Sequence, residues 1–325
     1  MPRELDPARL VEQARDGDGR AVARLVTLVE SDSPQLRDVM KLLAPHTGSA
    51  LSIGLTGSPG VGKSTTTAAL VTAFRSRGLR VGVLAVDPSS PFSGGALLGD
   101  RVRMQDVALD PGVYIRSMAT RGHLGGLSRA TPQALRVLDA AGCDLVLVET
   151  VGVGQSEVEV AGLADTTVVL LAPGMGDGIQ AAKAGILEIG DVFSVNKADR
   201  DGADATVREI QHMLGLGEAR KPGDWRPSVV KTIATTPHGV DDLVEAIDKH
   251  QAWLGQGDEL RQRRVARAAR EVESIAVQML RERMGEAQPG EASLDDLAAD
   301  VVDGRADPYA AADRLLESVA ESSSS

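Results

Sequence analysis

Residues 55–65, LTGSPGVGKST, bring three glycines, a lysine and neighbouring hydroxyls into one short stretch. Gly57, Ser58, Pro59, Gly60, Val61, Gly62, Lys63 and Ser64 satisfy the phosphate-loop pattern G-x-x-x-x-G-K-[ST] at every fixed position, and Thr65 follows. Glycine lets successive backbone N–H groups curl around a phosphate with no Cβ in the way. A helical pattern over about 62–75 comes next, and the start of a helix adds partial positive charge where the anion would sit. Lys63 would reach the β- and γ-phosphates, and the Ser64 hydroxyl would ligate Mg2+. These residues predict a bound nucleoside triphosphate.

The base is predicted by a second motif about 130 residues further on, Asn196-Lys197-Ala198-Asp199 at the end of an apolar run. The Asp199 carboxylate can accept from guanine N1–H and the 2-amino group, donors that adenine does not offer. The Lys197 stem would lie over the ring, and Asn196 would brace the pocket. A site built around those donors rejects a base that leaves its carboxylate unpaired. Ile233-Ala234-Thr235, after the next apolar run, falls where a backbone N–H would meet guanine O6.

Glu149 closes the apolar run DLVLVET and is followed by Thr150-Val151-Gly152. An acid there would hold Mg2+ through a water, and the Gly152 N–H would sense the γ-phosphate. Small regulatory GTPases place a water-orienting glutamine after that glycine, whereas this chain has Val153. Valine cannot polarise water, so intrinsic hydrolysis is expected to be slow or to rest on carboxylates elsewhere. Asp87, at the end of RVGVLAVD, and Asp100, after the glycine-rich SSPFSGGALLGD, are the two candidates, with helix capping as their alternative role. A second glycine-rich segment, APGMGDGIQAAK, carries Lys183, which could equally be a solvent-facing helix lysine.

These groups need a scaffold that brings strand ends together. Apolar runs at 51–56, 80–87, 113–117, 144–150, 166–172, 191–196 and 228–234 alternate with helical patterns. Runs apolar on both faces and separated by helices predict a doubly wound α/β domain with a mainly parallel sheet. Residues 1–48 read as a helical extension, with Asp32-Ser33-Pro34 as a helix cap, and 49–256 as the nucleotide domain. Residues 257–325 read as a helical arm: a long charged helix, a helix capped by Ser293 with Asp296, and another starting at Asp307-Pro308. The arginines between 261 and 270 read mainly as an exposed helix face paired with acids.

Composition narrows the class. A net charge of −11 on 325 residues argues against binding nucleic acid or an anionic membrane by bulk electrostatics. The single cysteine, Cys143, excludes an internal disulfide framework. With no apolar stretch near the ~18 residues of a membrane span, the expectation is a cytoplasmic protein. The five histidines show no zinc-ligand spacing.

Taken together, GSPGVGKST, VDPSSPFSGGALLGDRVRM, ETVGVGQSE, APGMGDGIQAAKAGILEIGDVFSVNKAD and WRPSVV resemble the MeaB/ArgK family of P-loop GTPases, over roughly residues 5–260. These are G-protein chaperones of adenosylcobalamin-dependent methylmalonyl-CoA mutase. The resemblance implies a GTPase domain between N-terminal helices and a C-terminal dimerisation arm, hence a homodimer with the mutase as partner. It implies that Ser64, Asp87, Asp100 and Glu149 surround Mg2+, and that Lys183 lies in a third switch loop communicating with the mutase. Lys63, Asp87, Asp100 and Lys183 are therefore the candidate catalytic residues. The nucleotide is GTP or GDP, while adenosylcobalamin belongs to the partner, whose cofactor loading and protection the chaperone regulates. One departure is Ile233, where the family usually has serine; a backbone contact survives that change and a side-chain contact does not. Two alternatives are a phosphotransferase, such as a kinase of an amino-acid transport component, and a metallochaperone GTPase. Asn196-Lys197-Ala198-Asp199 argues against an ATP-using kinase, and no Cys/His-rich stretch supports metal delivery.

Overall fold

The computed structural model describes residues 6–31, 33–87, 104, 107–119, 130–150, 156–174, 186–216, 221, 223–236, 238–285 and 293–322. The chain divides by internal contacts into Met1–Arg263 and Arg264–Ser325.

In the first unit, seven strands form one parallel sheet: β1 (Leu51–Thr56), β2 (Val81–Asp87), β3 (Val113–Ala119), β4 (Leu145–Thr150), β5 (Thr166–Leu171), β6 (Val192–Val195) and β7 (Ser228–Lys231). Their spatial order is β3-β2-β4-β1-β5-β6-β7, so β1 is central and the chain winds first to one side of it and then to the other. Each pairing is parallel, with Leu55 opposite Glu149 and Thr56 opposite Val169. A crevice outside the carboxyl ends of the strands, where the winding reverses, is the ligand-binding position of such sheets.

Alternation along the strands explains why both faces are covered. Leu145 and Leu147 of β4, with Val168 and Leu170 of β5, join a core built on helices α4 (Lys63–Ser76) and α9 (Val240–Leu254). Val146 points to the opposite face, among residues of α1 (Pro7–Arg15), α2 (Gly19–Glu30), α3 (Leu36–Leu43) and α5 (Ala130–Ala140). Val169, Leu171, Phe193 and Val195 pack with Ala203 and Ile210 of α8 (Ala203–Leu216). A strand buried on both sides reads as a continuous apolar run, which is why these segments were recognisable in the sequence. Helices α6 (Ser156–Leu163) and α7 (Ile186–Ile189) also belong to this unit.

The N-terminal helices start as their sequence suggests. Asp6 and Asp18 accept from Ala8 N and Arg20 N at 3.0 and 2.8 Å, with Pro7 opening α1. The cap expected at 32–34 is different. Asp32 lies outside the described residues, and α3 begins only at Leu36, after a turn in which Leu36 N donates to Ser33 O. The last strand is also shorter than its apolar run, because Thr232 N still donates to Val195 O but Ile233 turns into an antiparallel bridge with His238.

At the amino ends of β5 to β7, opposite the phosphate loop, a buried polar cluster forms around Asp191. Its carboxylate accepts from Thr167 N at 2.8 Å and takes both arms of the Arg263 guanidinium at 2.9 and 2.8 Å. His250 Nε2 lies 3.2 Å from the same carboxylate, and His250 Nδ1 meets Thr166 Oγ1 at 2.9 Å. Trp225 Nε1 donates to Asp191 O, and the Trp225 and Trp253 rings pack on His250. Arg263 belongs to α10 (Glu259–Gly285), so this arginine of the basic stretch is not on an exposed face paired with nearby acids. Its partner is 72 residues away in sequence.

The second unit comprises the rest of α10, α11 (Leu294–Val302) and α12 (Pro308–Ser322). Ser293 and Asp296 form the reciprocal capping box expected of them. Leu297 and Ala311 are buried between the two short helices.

Burial alone would push the Asp191 carboxyl up, but the His250 imidazole and the Arg263 guanidinium beside it outweigh that and hold it below the usual carboxylate range. A carboxyl depressed in the folded state stabilises fully above its unfolded pKa, about 3.9, and loses that contribution as pH falls through the folded value. Arg263→Met is therefore expected to cost about 2 kcal/mol at neutral pH, discounted because the arginine is about a third exposed. It should also flatten the fall in stability below about pH 4. Denaturant unfolding followed by Trp225 and Trp253 fluorescence across pH 2–7 checks both; an unchanged acid slope would contradict the assignment.

Candidate functional site

The candidate residues converge on the carboxyl edge of the sheet. The loop after β1 turns through Gly57, Gly60 and Gly62, whose φ values are 140°, 81° and 99°. A Cβ on Gly57 would lie 2.2 Å from Leu170 O of the neighbouring strand, and one on Gly62 would lie 2.4 Å from Asn196 Nδ2. The first glycine is fixed by backbone proximity, and the last by the approach of the Asn196 side chain. Lys63 and Ser64 open α4 and are nearly fully buried. Lys63 Nζ donates to Gly57 O at 2.6 Å and Ser58 O at 3.2 Å, so the ammonium arches over the loop.

Asn196 connects three segments. Its Nδ2 donates to Val61 O at 2.8 Å, while its Oδ1 accepts from Ala234 N at 3.1 Å and from Thr232 Oγ1 at 3.3 Å. Two donors on one side and a carbonyl on the other leave the amide a single sensible orientation. Thr232 Oγ1 is itself 2.8 Å from Ser194 Oγ, and all three side chains are buried. Lys197 adopts a left-handed φ of 58° and its Nζ donates to Gly60 O at 2.6 Å. Such a φ is uncommon outside glycine; here the backbone is held on both sides by Ala198 N to Thr232 O and Arg200 N to Lys197 O. Asp199 stands exposed, Ala234 is buried, Ile233 is half-buried and Thr235 is exposed.

On the other side of the loop, Glu149 is buried at the end of β4. Ser64 Oγ donates to its Oε1 at 2.6 Å, and Thr67 Oγ1 lies 2.8 Å from its Oε2. A hydroxyl beside a carboxylate makes an all-oxygen pair, the donor chemistry of a magnesium ion that keeps several waters and binds substrate phosphates. Among the described residues there is no group of three or more His, Cys, Asp or Glu side chains able to hold a metal by itself. An oxygen pair of this kind suits an ion whose remaining positions are filled by water and phosphate. The backbone of Asp87 ends β2 on the same edge. Asp100, Gly152, Val153 and Lys183 lie outside the described residues.

Ser194, Thr232 and Thr67 escaped the sequence reading. Thr67 follows Ser64 by three positions, a spacing that puts both hydroxyls on one helix face. That signal was available but could not be told from ordinary helix packing.

Residues 22–289 match the profile of the family described as methylmalonyl Co-A mutase-associated GTPase MeaB. A Pyrococcus horikoshii protein carrying a GTPase name is 48% identical over 315 residues, covering 95% of this chain and 97% of its own length. GTPase ArgK of Escherichia coli K12 is 38% identical over 269 residues, 81% of each chain. A crystal structure described as an LAO/AO transport system kinase superposes with a TM-score of 0.69 and 26% identity over 98% of each chain.

Two outcomes follow from this geometry. Gly62→Ala adds strain at φ 99° and drives the Asn196 amide off Val61 O; affinity for a fluorescent GDP analogue is expected to fall at least about ten-fold, the scale of losing a buried hydrogen bond plus backbone strain. Asp199→Asn replaces an acceptor by a group that can donate, so competition binding should shift from guanine toward xanthine nucleotides. Wild-type protein that bound ATP as tightly as GTP would contradict the base assignment.

Proposed function

This chain belongs to the MeaB family of GTPases, and we propose that its GTP hydrolysis serves adenosylcobalamin-dependent methylmalonyl-CoA mutase, controlling cofactor loading and protecting the loaded enzyme. The family match over residues 22–289 is the observation that carries the partner. The junction of the loop after β1, Asn196 and the Ile233–Thr235 segment supports the guanine site.

In this reading the backbone N–H groups of 57–64 and the start of α4 hold the β-phosphate, and Lys63 stabilises charge developing on the transferred group. Ser64 and Glu149, with Asp87 and Asp100, would hold Mg2+, which when bound neutralises phosphate charge. Asp199 selects guanine, Lys197 covers the ring, and the Ile233-Ala234-Thr235 segment would meet O6 through a backbone N–H. With valine at 153, the attacking water is ordered by Asp87 or Asp100, and Gly152 senses the γ-phosphate. Lys183 belongs to the loop that the mutase engages. A homodimer through α10 to α12 is part of the same proposal. Val265, Val272 and Leu280 of α10 are 57%, 67% and 45% exposed, which supports a partner surface on that helix. Among the described residues no helix is long and apolar enough to cross a membrane.

The kinase description of the superposed structure favours a second reading, phosphoryl transfer to a protein acceptor. Single-turnover hydrolysis of γ-labelled GTP, with and without the mutase, separates the two. Slow release of inorganic phosphate, accelerated when the mutase is added and mostly unaccelerated in Lys183→Ala, is the expected result. Equal rates with and without the mutase would remove the chaperone role, and label on a protein acceptor would favour the kinase.

A further inference from the structure

We propose that Thr67 is the positioning residue that fixes Glu149 for the cation, an inference that rests on the assignment of Ser64 and Glu149 to Mg2+. Glutamate has one more rotatable bond than aspartate, so a glutamate at a strand end swings its carboxylate through a wider arc unless both oxygens are held. Here both are. Ser64 Oγ donates to Oε1 at 2.6 Å, and Thr67 Oγ1 reaches Oε2 at 2.8 Å.

The Thr67 hydroxyl also lies 3.0 Å from Lys63 O, yet it carries a single proton. The carboxylate is the nearer acceptor and the charged one, and charge-assisted hydrogen bonds are about twice as strong as neutral ones. If the proton went to Lys63 O instead, a hydroxyl oxygen would face a carboxylate oxygen at 2.8 Å with no hydrogen between them. The proton therefore belongs to Glu149.

The two hydroxyls then divide their tasks. Ser64 sits in the first turn of α4, where its oxygen can face a cation while its proton stays on Oε1. Thr67 is one turn deeper and fully buried. Its role is to clamp Oε2 so that Oε1 is presented toward the loop. A threonine in a helix is limited to two χ1 wells by the preceding carbonyls, and the one adopted here lies beside Lys63 O while its hydroxyl reaches Oε2.

The test compares wild type, Thr67→Val, which removes the hydroxyl at nearly constant volume, and Thr67→Ser, which keeps it. The readout is dissociation of a fluorescent GDP analogue as a function of Mg2+ concentration, with EDTA as the metal-free limit. Thr67→Val should raise the Mg2+ concentration for half-maximal retention about ten-fold, the scale of a hydrogen bond to a charged group. Thr67→Ser should stay within about two-fold of wild type, and the three EDTA rates should agree. A wild-type Mg2+ response in Thr67→Val would overturn the proposal, and so would an EDTA rate altered equally in both variants, since that marks a packing role. A wild-type protein whose nucleotide retention ignored Mg2+ would instead overturn the underlying cation assignment. Should Thr67→Val fold poorly, Glu149→Asp supplies a second route. The shorter acid cannot reach Thr67, so adding Thr67→Ala to it should leave the Mg2+ dependence unchanged, whereas additive effects would overturn the clamp.

Discussion

The buried amide of Asn196 is the interaction on which the carboxyl edge of this sheet depends. The loop after β1 reaches it through Val61 O, and the segment after β7 reaches it through both Ala234 N and the Thr232 hydroxyl. Each partner is a group that would be costly to bury alone. The amide therefore fixes the distance between the loop after β1 and the turn after β7 by satisfying all of them at once. Gly62 belongs to the same constraint, because any side chain there would occupy the space of the Asn196 Nδ2 group.

The short strand β6 carries a polar anchor at each end. Asn196 follows its last residue, and Asp191 precedes its first, holding Arg263, His250 and the Thr167 N–H. Between them Val192, Phe193, Ser194 and Val195 are fully buried. Four residues of strand have no freedom to slide when both flanking side chains are committed to separate networks. The geometry at Asn196 is thus set by a rigid element rather than by a loop, which is what a binding site needs for precision.

Much of this was legible in the sequence. Strands covered on both faces read as uninterrupted apolar runs, so six of the seven were located to within about two residues of either end, and only the last was overextended by more than that. The phosphate loop was legible because its glycines answer to backbone dihedrals, which are local. The Ser293–Asp296 capping box was legible for the same reason. Lys63, Ser64, Glu149 and Asn196 could be named because their residue types and strand-end positions state a chemistry.

What the sequence could not decide were the partners. Nothing in a run of three threonines says that Thr67 turns toward an acid 82 residues away while Thr66 bonds the backbone of its own helix. Nothing in an arginine-rich helix marks Arg263 as the one that reaches Asp191. The strand order decides both, since it places β4 beside β1 and carries the start of β6 to the first turns of α10. Local pattern determined which elements form and which chemistry they carry. Only the packing of the sheet decided which side chains meet, because hydrogen bonds to charged groups depend on distances between segments that sequence spacing does not encode.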